Sequence, residues 1–174
     1  MRLLLPGRCV LLMGASGSGK STLANALAAG SGAVVVSYDR HQRRVPGDTG
    51  VEPVGDRALA TARAELAACC AAGTPVIVDG THSQAERRIA ARAVAVAHGL
   101  DTVVLVLLVP LEACLDRQGS RTRRVPAVDV ARQHAAVTAA LPGLADEGHA
   151  AVVLLTPGAL DHVLAAGAND PAPV

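Results

Sequence analysis

Five short stretches of this chain are apolar at nearly every residue: Cys9 to Gly14, Ala33 to Ser37, Pro75 to Gly80, Thr102 to Val109 and Ala150 to Thr156. A strand that is apolar on both of its faces must be covered on both, and parallel strands sandwiched between helices meet that condition. The segments between them have helical length and periodicity: Lys20 to Ala29, Asp56 to Ala72, Gln84 to His98, Leu111 to Gln118 and Val128 to Leu141. Strand and helix therefore alternate along the chain. That alternation predicts an α/β fold, a doubly wound parallel five-stranded sheet with right-handed crossovers. At 174 residues one domain is expected, over 1–166, with a flexible tail over 167–174.

Composition narrows the classes open to such a domain. The longest apolar run, Val103 to Val109, is too short to cross a bilayer. The three leucines at the start are broken by Pro6 and Gly7 and followed by Arg8, so no secretory leader is expected and the location is read as cytoplasmic. The net charge of +1 gives no global field of the kind that gathers nucleic acid. Cys9, Cys69, Cys70 and Cys114 lack metal-ligand spacing and read as small buried residues. Of 16 basic side chains only Lys20 is a lysine, and the only aromatic ring is that of Tyr38.

Between the first strand and the first helix lies Gly14-Ala15-Ser16-Gly17-Ser18-Gly19-Lys20-Ser21, followed by Thr22. This is G-x-x-x-x-G-K-[ST] in its required strand-to-helix setting. Glycines let backbone N–H groups turn toward phosphate oxygens, and the helix start adds positive potential. Lys20 is expected to reach the β- and γ-phosphates of ATP, and Ser21 to ligate Mg²⁺. The predicted sheet is then of the P-loop NTPase kinase type, with strand order 2-3-1-4-5.

Three further features share the expected ligand-binding rim, beyond the carboxyl ends of the strands. Asp79 ends the third strand, and it reads either as a second Mg²⁺ ligand or as a cap for the next helix. Asp39 follows the second strand, in Ser37-Tyr38-Asp39-Arg40-His41-Gln42-Arg43. There it reads either as a base for an attacking hydroxyl or as a solvated loop charge. The segment from Asp116 to Asp129 holds Arg117, Arg121, Arg123 and Arg124. It reads as a mobile, arginine-rich lid over ATP, or as an exposed basic face paired with Asp116 and Asp129. Arg117 and Arg121, four apart, would share one helix face.

Taken together, the P-loop, the Ser37–Asp39 segment, Asp79-Gly80-Thr81-His82 with Gln84 and Arg88, and Arg117-x-x-x-Arg121 resemble the P-loop 5′-hydroxyl polynucleotide kinases. The likeness is to the kinase domain of bacterial polynucleotide kinase-phosphatases, over Cys9 to Thr156. "CLDRQGSRTRRVP" with "VARQH" after it is similar to that family's lid. The resemblance implies ATP·Mg²⁺ on Lys20 and Ser21, Asp39 as general base, and Arg117 and Arg121 gripping phosphates. It also implies Thr81 and Gln84 beside the acceptor. Three departures stand out. Gln42 occupies the place of the family's acceptor-phosphate arginine, leaving Arg40 or Arg43 to serve, and His82 stands where the family has Asn or Ser. The family's phosphatase and ligase modules have no counterpart in these residues.

The expected function is ATP-dependent transfer of a phosphoryl group to a hydroxyl, with Lys20, Asp39, Arg117 and Arg121 catalytic and Tyr38, Arg40, Gln42, Arg43, Thr81, Gln84 and Arg88 on the acceptor side. The first acceptor is the 5′-OH end of a nucleic acid. A small hydroxylated molecule, such as a sugar, nucleoside or antibiotic, is the alternative, as in chloramphenicol phosphotransferases and zeta-toxin-like kinases. A nucleotide-binding switch ATPase is the third reading. No membrane partner is expected, and a homodimer stays open.

Overall fold

A computed structural model describes residues 8–43, 55–119 and 124–168. Its strands are β1 (Arg8–Met13), β2 (Val34–Ser37), β3 (Val76–Asp79), β4 (Asp101–Leu107) and β5 (Ala151–Leu155). All neighbours are parallel, in the order β2-β3-β1-β4-β5. The fold class and strand order expected from sequence are both present. The helices are α1 (Lys20–Ser31), α2 (Tyr38–Gln42), α3 (Asp56–Ala71), α4 (Ala85–Ala97), α5 (Leu111–Gly119), α6 (Ala127–Ala140) and α7 (Pro157–Ala168), with a 3-10 helix over Leu141–Glu147. No helix among the described residues is long and apolar enough to cross a membrane.

The central strand explains the two-sided core. Cys9 to Met13 are wholly buried, and alternate side chains leave β1 on opposite faces. Val10 and Leu12 pack with Leu23 and Leu27 of α1, Cys114 of α5, Val130 of α6 and Leu160 of α7. Cys9, Leu11 and Met13 pack with Ala62 and Leu66 of α3, Ala91 and Ala95 of α4, Val137 of α6 and Leu144. Helix α6 therefore serves both layers, Val130 on one side and Val137 on the other. The alanines on the buried faces of α3 and α4 let those helices lie close to the sheet at little conformational cost.

Two differences from the sequence reading concern connections. Helix α2 and the 3-10 helix are short elements of five and seven residues without a long apolar period, and α7 begins at a proline, a favoured first helical residue. None of the three was expected. Second, the expected insertion begins and ends in helix, with Asp116 and Arg117 in α5 and Asp129 in α6, while residues 120–123 lie outside the described residues. Helix α3 starts at Asp56, as expected, and residues 44–54 lie outside the described residues. Helix α7 runs to Ala168, and residues 169–174 of the expected tail lie outside the described residues.

Candidate active site

The site forms where three neighbouring strands end together. Leu12 of β1 and Ser37 of β2 both pair in register with Asp79 of β3. The residues that follow these three ends, the P-loop, Asp39 and Thr81, are thereby delivered to one rim. They line a common cleft of ≈ 340 Å³ with Ser16, Gly17, Gly19, Lys20, Ser21, Asp39, Asp79, Gly80 and Thr81 on its walls.

The P-loop is held by its neighbours as well as by its own turns. Gly14 N–H donates to the Thr81 carbonyl at 3.1 Å and Ser18 N–H to the Ala15 carbonyl at 3.1 Å. Gly17 adopts φ +90°, and a Cβ there would stand 2.3 Å from the carbonyl oxygen of Cys114 in α5. Only glycine permits both that backbone angle and that approach. Lys20 is buried, and its Nζ donates to the Ala15 carbonyl at 2.8 Å. An ammonium carries three protons, and Lys20 also lines the cleft beside Ser21 and Asp79. Ser21 Oγ donates to Asp79 Oδ2 at 2.8 Å, which brings the two expected Mg²⁺ ligands together. Two oxygen ligands beside a phosphate cradle suit Mg²⁺, which completes its octahedron with water and substrate oxygens. No cluster of three or more His, Cys, Asp or Glu side chains capable of holding a metal occurs among the described residues.

Arg117 reaches the P-loop from α5, its Nη1 donating to the carbonyls of Gly17 at 3.3 Å and Ser18 at 3.5 Å. Arg121 and Arg123 lie outside the described residues. Arg124 donates to the Gly119 carbonyl at 2.8 Å, bridging the two ends of the arginine-rich segment. Asp129 pairs with Arg132 on its own helix at 2.9 Å.

On the acceptor side the structure separates residues that sequence had grouped. Asp39 is exposed and faces the cleft, Thr81 lines it, Gln84 is exposed at the start of α4, and Arg43 is exposed at the end of α2. Tyr38 turns inward instead, 4% exposed, its ring 5.0 Å from that of His82. It fills the space left by Gly80, where a Cβ would meet Tyr38 Cδ2 at 2.7 Å. Arg40 donates to the Val35 carbonyl at 2.7 Å and to Glu65 of α3 at 2.9 Å. Gln42 is buried, and its Oε1 accepts from Gly55 N–H at 2.9 Å. Arg88 is buried, its guanidinium forked onto the Glu147 carboxylate and donating to the His82 carbonyl at 2.6 Å. A buried guanidinium needs such partners, and here they tie α4 to the 3-10 helix.

His82 itself is wholly buried and has φ +47°. Its Nδ1 lies 2.8 Å from the Leu12 carbonyl; a carbonyl can only accept, so Nδ1 carries the proton. Burial pushes its pKa down to about 4, and Lys20 and Arg88 push the same way against the Leu12 and Gly80 bonds. The ring is neutral at ordinary pH. Burial raises the Glu147 carboxyl, but Arg88 outweighs it and the net shift is downward.

Glu65, Gln133 and Glu147 escaped the sequence reading. Each is an ordinary polar residue at a helical position or helix end, and its role depends on a partner far away in sequence. Gln133, in α6, accepts at Oε1 from the N–H of Ser16 at 2.9 Å.

A cradle of glycines at the start of α1, a lysine and serine at its first turn and an aspartate closing β3 define a P-loop protein with a kinase-like fold. The chain belongs to the AAA domain family, whose model matches residues 9–141. No curated protein matches it in sequence. In fold it is similar to an unliganded sugar kinase from Janibacter sp. HTCC2649, with 23% identity, TM-score 0.63 and coverage of 92% of each chain. A gluconokinase from Sinorhizobium meliloti 1021 is similar at 22% identity and TM-score 0.63, over 94% of this chain and 93% of that one. The Pnkp1/Rnl/Hen1 RNA repair complex matches at 22% identity and TM-score 0.69, over 79% of this chain and 46% of that chain.

Proposed function

We propose that the protein is an ATP-dependent kinase that transfers the γ-phosphoryl group to a hydroxyl of a small molecule. The observation that carries the phosphotransfer reading is the single cleft holding Lys20, Ser21 and Asp79 on one wall and Asp39 on another. Backbone N–H groups of the P-loop and the start of α1 bind the triphosphate, and Lys20 and Arg117 place positive charge against it. Ser21 and Asp79 would hold Mg²⁺, which supplies charge neutralisation on the phosphates when bound. Asp39 accepts the proton of the acceptor hydroxyl as its oxygen bonds to phosphorus, and the bond from phosphorus to the departing ADP oxygen breaks. The product is a phosphate monoester.

Preference for a small acceptor rests on the inward turn of the acceptor segment. Arg40 is engaged by Glu65, Gln42 by Gly55, and the Tyr38 ring is packed in the core. Stacking of a nucleic-acid base on an aromatic ring contributes about 1–3 kcal/mol, and the one tyrosine ring does not face the cleft. The near-complete mutual coverage with a sugar kinase and a gluconokinase supports the same reading. A 5′-OH polynucleotide end is the second reading, favoured by the exposed Arg43 and by Arg117 over the P-loop.

The test is label transfer from γ-radiolabelled ATP to a panel of sugars, sugar acids and nucleosides beside a 5′-OH oligonucleotide. Asp39→Ala and Lys20→Ala run in parallel. Transfer to a small molecule that both substitutions abolish supports the proposal. Transfer to the oligonucleotide alone, falling steeply with salt, moves the assignment to the second reading. Undiminished transfer by Asp39→Ala would sink the assigned base.

A further inference from the structure

The peptide between Ala15 and Ser16 is gripped at both ends. Its carbonyl accepts from Lys20 Nζ at 2.8 Å, and its N–H donates to Gln133 Oε1 at 2.9 Å. A peptide group is a rigid plane, so whatever fixes one end fixes the other. The carbonyl also accepts from Ser18 N–H at 3.1 Å within the loop, whereas the N–H is held from another element, α6. The bond from α6 therefore adds, at the N–H end of the plane, a hold that comes from outside the loop. Hydrogen bonds through one amide also polarise each other, so donation to Gln133 strengthens the carbonyl as an acceptor for the ammonium.

We propose that Gln133 is a positioning residue for Lys20, acting through the Ala15–Ser16 peptide. This gives α6, the helix that follows the arginine-rich segment, a direct hold on the cation that meets the triphosphate. The inference rests on the nucleotide half of the function proposed above and is independent of the acceptor.

Because Lys20 is the only lysine, selective ¹³C,¹⁵N-lysine labelling gives a single side-chain signal by NMR. Three proteins are compared: wild type, Gln133→Leu, which keeps the bulk and loses the acceptor, and Gln133→Glu, which keeps an oxygen for Ser16 N–H. In Gln133→Leu the Lys20 Cε and Nζ resonances are expected to move, and affinity for the ATP analogue AMPPNP to fall about threefold to tenfold. In Gln133→Glu the Lys20 resonances stay close to wild type. If Gln133→Leu leaves the Lys20 signal in place, or Gln133→Glu displaces it as far as leucine does, the proposal is overturned. Should the leucine variant fail to fold, Gln133→Ala is judged by the same signal. A wild-type Lys20 signal that AMPPNP did not move would refute nucleotide binding at the P-loop, while the nucleotide-free spectra would still decide the role of Gln133.

Discussion

Gly17 shows how little freedom the phosphate cradle has. A methyl group there would have to displace the backbone of α5 at Cys114, and φ +90° is costly for any side chain. Gly17→Ala is expected to weaken ATP binding and to lower stability by about 1–3 kcal/mol, read by calorimetric titration and urea unfolding. The Arg88–Glu147 pair is a second site of tight constraint, because both groups are buried together. Removing one partner strands the other, so Glu147→Leu is expected to cost about 3–5 kcal/mol, whereas replacing both residues by apolar ones should cost much less. His82 makes stability depend on pH. The unfolded ring takes up a proton near pH 6.5 and the folded ring only near pH 4, so the folded state is at full strength above about 6.5 and weakens as pH falls toward 4. His149 is shifted downward too, by burial against the opposing pull of Glu147, and contributes in the same direction. Urea midpoints measured from pH 7 down to pH 5 should therefore fall, and His82→Asn should flatten that slope.

At the scale of elements, α2 is the piece on which Asp39 depends. It has only five residues, too few to be stable alone. Ser37 caps its start by accepting from Arg40 N–H at 3.4 Å, and Glu65 of α3 holds Arg40 at 2.9 Å and His41 at 2.5 Å. Glu65→Ala releases both side chains and lets the turn carrying Asp39 drift. A misplacement of this kind can cost up to ~100-fold in rate, so kcat should fall at least tenfold while ATP affinity holds. Equal losses in kcat and ATP affinity would show instead that α3 supports the whole site. The same element marks where sequence reading stopped. The P-loop was legible because its pattern lies within eight consecutive residues and its physics is local. Arg40 looked like an acceptor contact because nothing nearby in sequence shows that Glu65, 25 residues on, claims its guanidinium. Tyr38 misled in the same way, since the space that takes its ring exists only because residue 80 is glycine.

For the molecule as a whole, the sheet was legible from alternation alone, because strands covered on both faces must be apolar throughout. What alternation could not show is which long-range polar bonds lock the layers, such as Arg88 to Glu147 across 59 residues or Ser16 to Gln133 across 117. Stability is nonetheless set mainly by the two packed layers. Leu66, 1% exposed between α3 and the sheet, should cost about 2–5 kcal/mol when cut to alanine, without altering nucleotide affinity at temperatures where the variant stays folded. The inward ring of Tyr38 has an optical consequence. With no tryptophan and no phenylalanine in the chain, all side-chain ultraviolet emission arises from that one phenol, next in sequence to Asp39. Burial raises its pKa against the opposing charges of Arg63 and Arg87, so it stays protonated and emissive through the neutral range. The protein thus carries an intrinsic, single-site fluorescent reporter behind the wall of its own cleft, and acceptor binding can be followed in solution with no label attached.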